Sequence, residues 1–570
     1  MADQEINIDS ASTTTADRDQ PALERAGSTT PYHGGTTIAN VISATSPDVH
    51  GTGMKIERAR SAYEAYAGHE EKPTKLEVFG WCFYGLCSYF IHTVLIPIVF
   101  PLIISGISSP MPDNINSKAN LQVVNDKGRT CTYKELLLFS RLTNRTITVQ
   151  SFKYSPLEWT SISWAIGLAL AAPLLGLLST PLDRGPHQSI MALVATVVGA
   201  IFCLPAGFVR TVWIFPPYIA AIVAASTIPA AYHTRHLGIM VRGFTGTNLR
   251  RPQFPLRRAA AGWLSLASTA AGSLGAAAIS SFTFHMLREN EEFMSLWIVS
   301  IFSGLKWLLG SFHFVTSNRQ THAITPTSYA RHTFSILKFP HAIGSLAAVF
   351  LSSVSTMTIF TGAVLYLVGD LCLPPKSLLY FWLAYFLFPL ISLPILHPIQ
   401  HLVKANAVKM QVLGFFLTAT TSGIGYAFQS RQWKTHHALV FAAIQGTSTG
   451  VLHAFARVLI MDCSPPGKEG VFSTWFMWIK VFGSLVGFTA ACTNPGNVRI
   501  ALGLGFCTAI SAVVVLIFGN VSDFGGARRA GHVKENDMVL YEGNGEGGSP
   551  VSGVDDAVEV NQQHPGHVMK

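Results

Sequence analysis

Blocks of roughly twenty apolar residues recur along the chain from about residue 78 to residue 519, separated by short polar stretches. A helix of that length rises about 30 Å, the thickness of the hydrocarbon core of a bilayer. The pattern predicts membrane-spanning helices near 78–106, 160–182, 188–208, 211–233, 260–286, 293–316, 340–366, 378–399, 409–428, 437–461, 471–491 and 499–519. About twelve transmembrane helices in two six-helix halves define an all-α membrane protein, with halves at 77–316 and 340–519 and a polar cytosolic connector at 317–339. Such a layout suits a carrier whose two halves rock about a site near the bilayer midplane.

Outside the apolar blocks, residues 1–76 and 520–570 are polar and rich in Ser, Thr and Gly, and both stretches are expected to be disordered cytosolic tails. No short apolar core followed by a cleavage site precedes the first span, which therefore acts as the signal. Orientation follows from arginine. The loop after the fourth span carries Arg235, Arg242, Arg250, Arg251, Arg257 and Arg258 without a carboxylate, which places it in the cytosol. The one long loop, 110–158, then faces the lumen and presents Asn144-Arg145-Thr146, an N-glycosylation acceptor.

Composition agrees with this picture: 12% of residues are charged, 49% hydrophobic and 11% aromatic, against about a quarter charged in soluble domains. The net charge of +9 lies in loops between spans, not along a basic groove with interleaved aromatics, so nucleic acid is not a partner and the lipid bilayer is. Eight cysteines show neither CxxC nor His/Cys spacing, and neither a metal site nor a disulfide framework is read from them. No phosphate-binding loop and no cofactor motif is present. The match to GxSxG at Gly446-Thr447-Ser448-Thr449-Gly450 lies inside a span, where small residues serve helix packing, and the chain is not read as an enzyme.

None of the predicted span cores contains Asp or Glu. Carboxylates inside a membrane mark proton relays and cation sites, so their absence favours a neutral or zwitterionic solute. His92, mid-span among bulky apolar residues, is the preferred titratable group; His285, His313 and His453 are further candidates within spans. Ser355 and Thr358 belong to a hydroxyl-rich seventh span, and Gln445 to the tenth. Lys480 lies deep enough to meet a solute carboxylate, as does Lys306. These residues, His92, Ser355, Thr358, Gln445 and Lys480, are the expected substrate or proton path. Asp183 and Arg184, in a tight turn after the second span, and Arg457 near a helix end are the expected gating contacts.

The turn Ser179-Thr180-Pro181-Leu182-Asp183-Arg184-Gly185-Pro186-His187-Gln188 resembles the loop at the same place in major facilitator superfamily transporters, with Ser179 at the position of their first glycine. From Gln445-Gly446 through Arg457, Pro465-Pro466-Gly467-Lys468-Glu469 and Phe472 to Lys480 and Gly483, the chain is similar to fungal autophagy-related vacuolar amino-acid effluxers. Gly80-Trp81-Cys82-Phe83-Tyr84-Gly85 is similar to the start of their first span. That resemblance implies release of small neutral amino acids from the vacuole to the cytosol. The eroded turn leaves an alternative from another class: a receptor or scaffold with a relic transporter fold.

Overall fold

A computed structural model describes residues 71–533, apart from 110–121, 125–129, 206–207, 247–248, 289–291, 318, 320–328, 374 and 429–434. The expected tail at 1–76 lies almost wholly outside the described residues, as do residues 318 and 320–328 of the connector.

Six long helices form the N-terminal half: α1 (Lys75–Ser108), α3 (Pro156–Arg184), α4 (Gln188–Cys203), α5 (Phe215–Thr245), α6 (Phe254–Arg288) and α7 (Glu292–Leu309). Between α1 and α3 a small lobe carries the hairpin β1 (Gln122–Val124) and β2 (Thr130–Thr132), the helix α2 (Tyr133–Thr143), and a second hairpin, β3 (Ile147–Val149) and β4 (Phe152–Tyr154). The short α8 (Tyr329–Thr333) leads into the C-terminal half, formed by α9 (Pro340–Gly369), α10 (Pro375–Leu402), α11 (Ala407–Ala427), α12 (Thr435–Asp462), α13 (Glu469–Thr493) and α14 (Val498–Phe518). Among the described residues nine helical spans are long and apolar enough to cross a membrane. The other three are α4, which is short, and α6 and α11, whose apolar character is diluted by Ala, Gly, Ser and Thr.

Local chemistry sets the helix starts. Ser155 opens α3 with a reciprocal cap: its hydroxyl accepts from the Glu158 amide, and the Glu158 carboxylate accepts from the Ser155 amide. Asn406 caps α11 by accepting from the Lys409 amide. Within α1, Pro97 removes an amide donor, and the helix widens into a π-helical stretch over Ile91–Val99 that carries His92. Between helices, small residues allow backbone contact: a Cβ on Gly446 would run into the Tyr385 carbonyl of α10. Two residues on, the Ser448 hydroxyl donates to the Gly414 carbonyl of α11, so the GxSxG stretch binds helices together.

The halves meet through α3 against α13 and α6 against α10. A disulfide, Cys131 to Cys372, joins β2 of the small lobe to the residues just beyond α9, with Cα atoms 5.2 Å apart. This corrects the reading that no disulfide is present. The two cysteines are 241 residues apart in polar loops, and only the packing of α2 on α9, with the Phe139 ring on Gly369, brings them together. A second correction concerns the C-terminal tail. Its first residues form α15 (Asp523–Arg529), capped by Ser522, and Asp523 accepts from Arg258 of α6 at 3.0 Å. Beyond α15, His532 contacts the Ser464 carbonyl and Leu249 pairs with Val533, so this stretch docks where a purely polar composition shows no core.

Candidate functional site

A chamber of about 120 Å³ lies between the two halves, walled by α1, α5 and α6 on one side and α9, α10, α12 and α13 on the other. The π-helical stretch of α1 turns His92 toward it, where its Nε2 meets the Ser226 hydroxyl of α5 at 3.0 Å. Lys480 of α13 reaches in from the opposite half, its ammonium 5.9 Å from the centre of the Tyr89 ring. Arg457 of α12 joins it, donating to the Ser265 carbonyl at 3.1 Å and the Thr269 hydroxyl at 2.7 Å and lying over Trp81. His233 and His453 complete the polar wall; His233 donates to the Trp81 carbonyl at 2.9 Å while the Trp81 indole donates to the His233 carbonyl. Hydroxyls come from Ser352, Ser353 and Thr356 of α9. Among the described residues that line the chamber there is no carboxylate, so two cationic side chains face a space without an internal counter-ion.

The sequence-derived candidates divide. His92, Lys480 and Arg457 come together at the chamber, Arg457 as a wall residue. Ser355 and Thr358 turn away from it: they donate to the Gly505 carbonyl of α14 at 2.8 Å and the Gly487 carbonyl of α13 at 3.1 Å. Gln445 lines a separate cavity within the C-terminal half. Lys306 donates to the Gly275 carbonyl at 2.5 Å and lies over Phe90. Asn144 is exposed at the end of α2. His233 escaped the sequence reading; its signal is a histidine four residues after Pro229 on a helix that also carries Ser226 on the same face.

Contacts between the halves flank the chamber on both sides. At the arginine-rich end, Asp183 of α3 accepts from the amides of Gly470 and Val471 at 2.5 and 3.1 Å, capping α13 of the opposite half, and pairs with His332 at 3.0 Å. Arg184 ends α3 beside it. Arg242 of α5 pairs with Glu469, and Arg257 of α6 with Asp462 at 2.9 Å, so three buried carboxylates bind one half to the other. In the turn before α13, burial holds Lys468 below the ordinary lysine value, with repulsion from Lys338 and Arg184 adding to it. Toward the small lobe, Trp164 of α3 meets Phe488 of α13, ring centres 5.7 Å apart. Among the described residues no cluster of three or more His, Cys, Asp or Glu is placed to hold a metal ion.

Compared with known proteins, the chain matches no family model and no curated relative. Among solved structures it is similar to the crystal structure of the human organic anion transporter MFSD10 (TETRAN), with a TM-score of 0.50 and 14% identity over 78% of this chain and 100% of that one. A bacterial homologue of the iron transporter ferroportin, in its outward-facing state, gives a TM-score of 0.45 and 13% identity over 75% of this chain and 99% of that one. The fold is that of major facilitator-type transporters.

Proposed function

We propose that the protein is an alternating-access carrier for small organic solutes bearing a carboxylate, and that neutral amino acids leaving the vacuole for the cytosol are its cargo. The observation behind this reading is the pair Lys480 and Arg457 in a chamber between the halves, without a carboxylate among its described walls. A buried cation of this kind is costly unless it is matched, and a solute carboxylate supplies the match. The solute's ammonium would take the hydroxyls of Ser352, Ser353 and Thr356 and the face of Tyr89 or Tyr385, and its side chain would meet Met357, Phe360 and Phe476. The amino-acid identity and the vacuole rest on the resemblance in the sequence. For orientation, a disulfide persists in oxidising compartments, so the end bearing Cys131–Cys372 and Asn144 is the lumenal one, with Asn144 as the proposed glycan site.

A net-anionic solute is the second reading, favoured by two cations with no carboxylate to receive an ammonium. Uptake into proteoliposomes of leucine, and of the 2-oxo acid with the same carbon skeleton, separates the two. Saturable flux of leucine is the expected result; flux of the oxo acid alone moves the cargo to organic anions. Absence of saturable flux for both, in vesicles shown to hold folded protein, would overturn the carrier and favour the receptor reading.

A further inference from the structure

Residues 520–533 leave the C-terminal half at the end of α14 and engage both halves at the arginine-rich end. The Asn520 carbonyl accepts from His341 Nδ1 of α9. Gly526 of α15 lies so close to Cys463, just past α12, that no side chain would fit between them. The same segment holds the N-terminal half. Asp523 accepts from Arg258 of α6 at 3.0 Å, and the Phe524 ring meets Phe254 at the start of that helix, with centres 5.2 Å apart. Further on, the Leu249 amide donates to the His532 carbonyl at 3.1 Å. The His532 side chain returns to the C-terminal half, where Nε2 donates to the Ser464 carbonyl at 2.8 Å. The stretch is thus stitched across the boundary between the halves, with α6 on one side and α12 on the other.

It lies beside an ion pair that joins those same two helices. Arg257 and Asp462 are both buried. Burial holds the neighbouring His532 well below the ordinary histidine value, and the charges of Arg257 and Arg242 add to that. Attraction between charges weakens as water enters, so lifting the segment would loosen Arg257 from Asp462 as well as break the segment's own bonds. Its apolar anchor is small and separate from the main core: Phe254, Ala527 and Val533, with Phe524 against them. A segment held by few buried apolar contacts opens locally at far lower cost than the body of the fold. Resting on the carrier reading, in which the halves part at this end, we propose that residues 520–533 form a strap that restrains the arginine-rich end and must lift from α6 before the chamber opens there.

Cys463, 1% exposed beneath Gly526, reports the strap directly. The full-length protein in liposomes is treated with an impermeant maleimide from the arginine-rich side, labelled cysteines are located by peptide mapping, and Ser353→Cys serves as the chamber reporter. Asp523→Ala combined with Phe524→Ala is expected to speed labelling of Cys463 and of the chamber cysteine about tenfold each. The converse experiment pins the strap. Leu249→Cys with Val533→Cys, paired in a parallel bridge, should cross-link on oxidation and slow labelling of the chamber cysteine about tenfold, with Leu249→Cys alone as the control for the oxidant. Faster labelling of Cys463 with no change at the chamber cysteine would overturn the proposal, by reducing the strap to a packing element. So would a chamber cysteine indifferent to the completed cross-link, or a pair that does not cross-link; these decide even where the double variant leaves Cys463 covered. The readouts are labelling rates and need no flux, so they stand apart from failure of the carrier reading.

Discussion

Lys480→Ala is expected to lower leucine flux about a hundredfold, mainly through KM, with the protein still folded and inserted. Truncating one member of a buried charge pair costs about 2–5 kcal/mol, and about 3 kcal/mol corresponds to that factor. The loss is expected to be large because Lys480 enters from α13 while Tyr89 and His92 face it from α1. A solute held by Lys480 therefore touches both halves at once. Lys480→Arg keeps the charge on a longer, planar group and should retain part of the flux. Uptake rates in vesicles matched for inserted protein check the prediction. Unchanged KM in Lys480→Ala would remove the lysine from the solute path.

Asp183→Ala should open the arginine-rich end. Its carboxylate caps α13 across the interface, where two amides and the helix dipole converge on a negative charge. Loss of that group leaves two donors and His332 unmatched, costing about 2–4 kcal/mol in the closed arrangement and nothing in one where the halves have parted there. A single cysteine placed in the chamber, Ser353→Cys, reports the change through its rate of reaction with an impermeant maleimide added from the arginine-rich side. An increase of tenfold or more is expected in the Asp183→Ala background, with slower net flux. Asp183→Asn, which keeps an acceptor but loses the charge, should fall between. Equal labelling rates in all three would show that Asp183 does not bias the closed form.

What could be read from the sequence follows from which properties are local. Span number was legible because each bilayer-length apolar block declares itself without its neighbours, and the carboxylates at span ends, Asp183, Asp462 and Glu469, were visible as the limits of those blocks. The rotation of each helix was not. Ser355 and Thr358 sit in a span so rich in hydroxyls that no single polar stripe marks the inner face, and the structure gives those two to neighbouring carbonyls while Ser352, Ser353 and Thr356 face the chamber. Gln445 likewise turns toward a cavity inside its own half. Lys480 and His92 were legible because a polar group deep in an apolar span has few tolerable places other than an interior space. The disulfide and the docking of residues 520–533 depend on contacts across hundreds of residues, which local pattern does not encode.

The bond between Cys131 and Cys372 encloses the connector between the two halves in a covalent ring. A protease that cuts between α8 and the end of α7 would divide the backbone without dividing the molecule. Both pieces would travel together under denaturing, non-reducing conditions and part only on reduction. The connector is thus released from its duty as the only covalent tether, and its length and sequence are free to vary without risk of the two bundles drifting apart. The same ring ties the small lobe to the C-terminal bundle, so any rocking of the halves would have to be absorbed by the segments on either side of the lobe, within the N-terminal half.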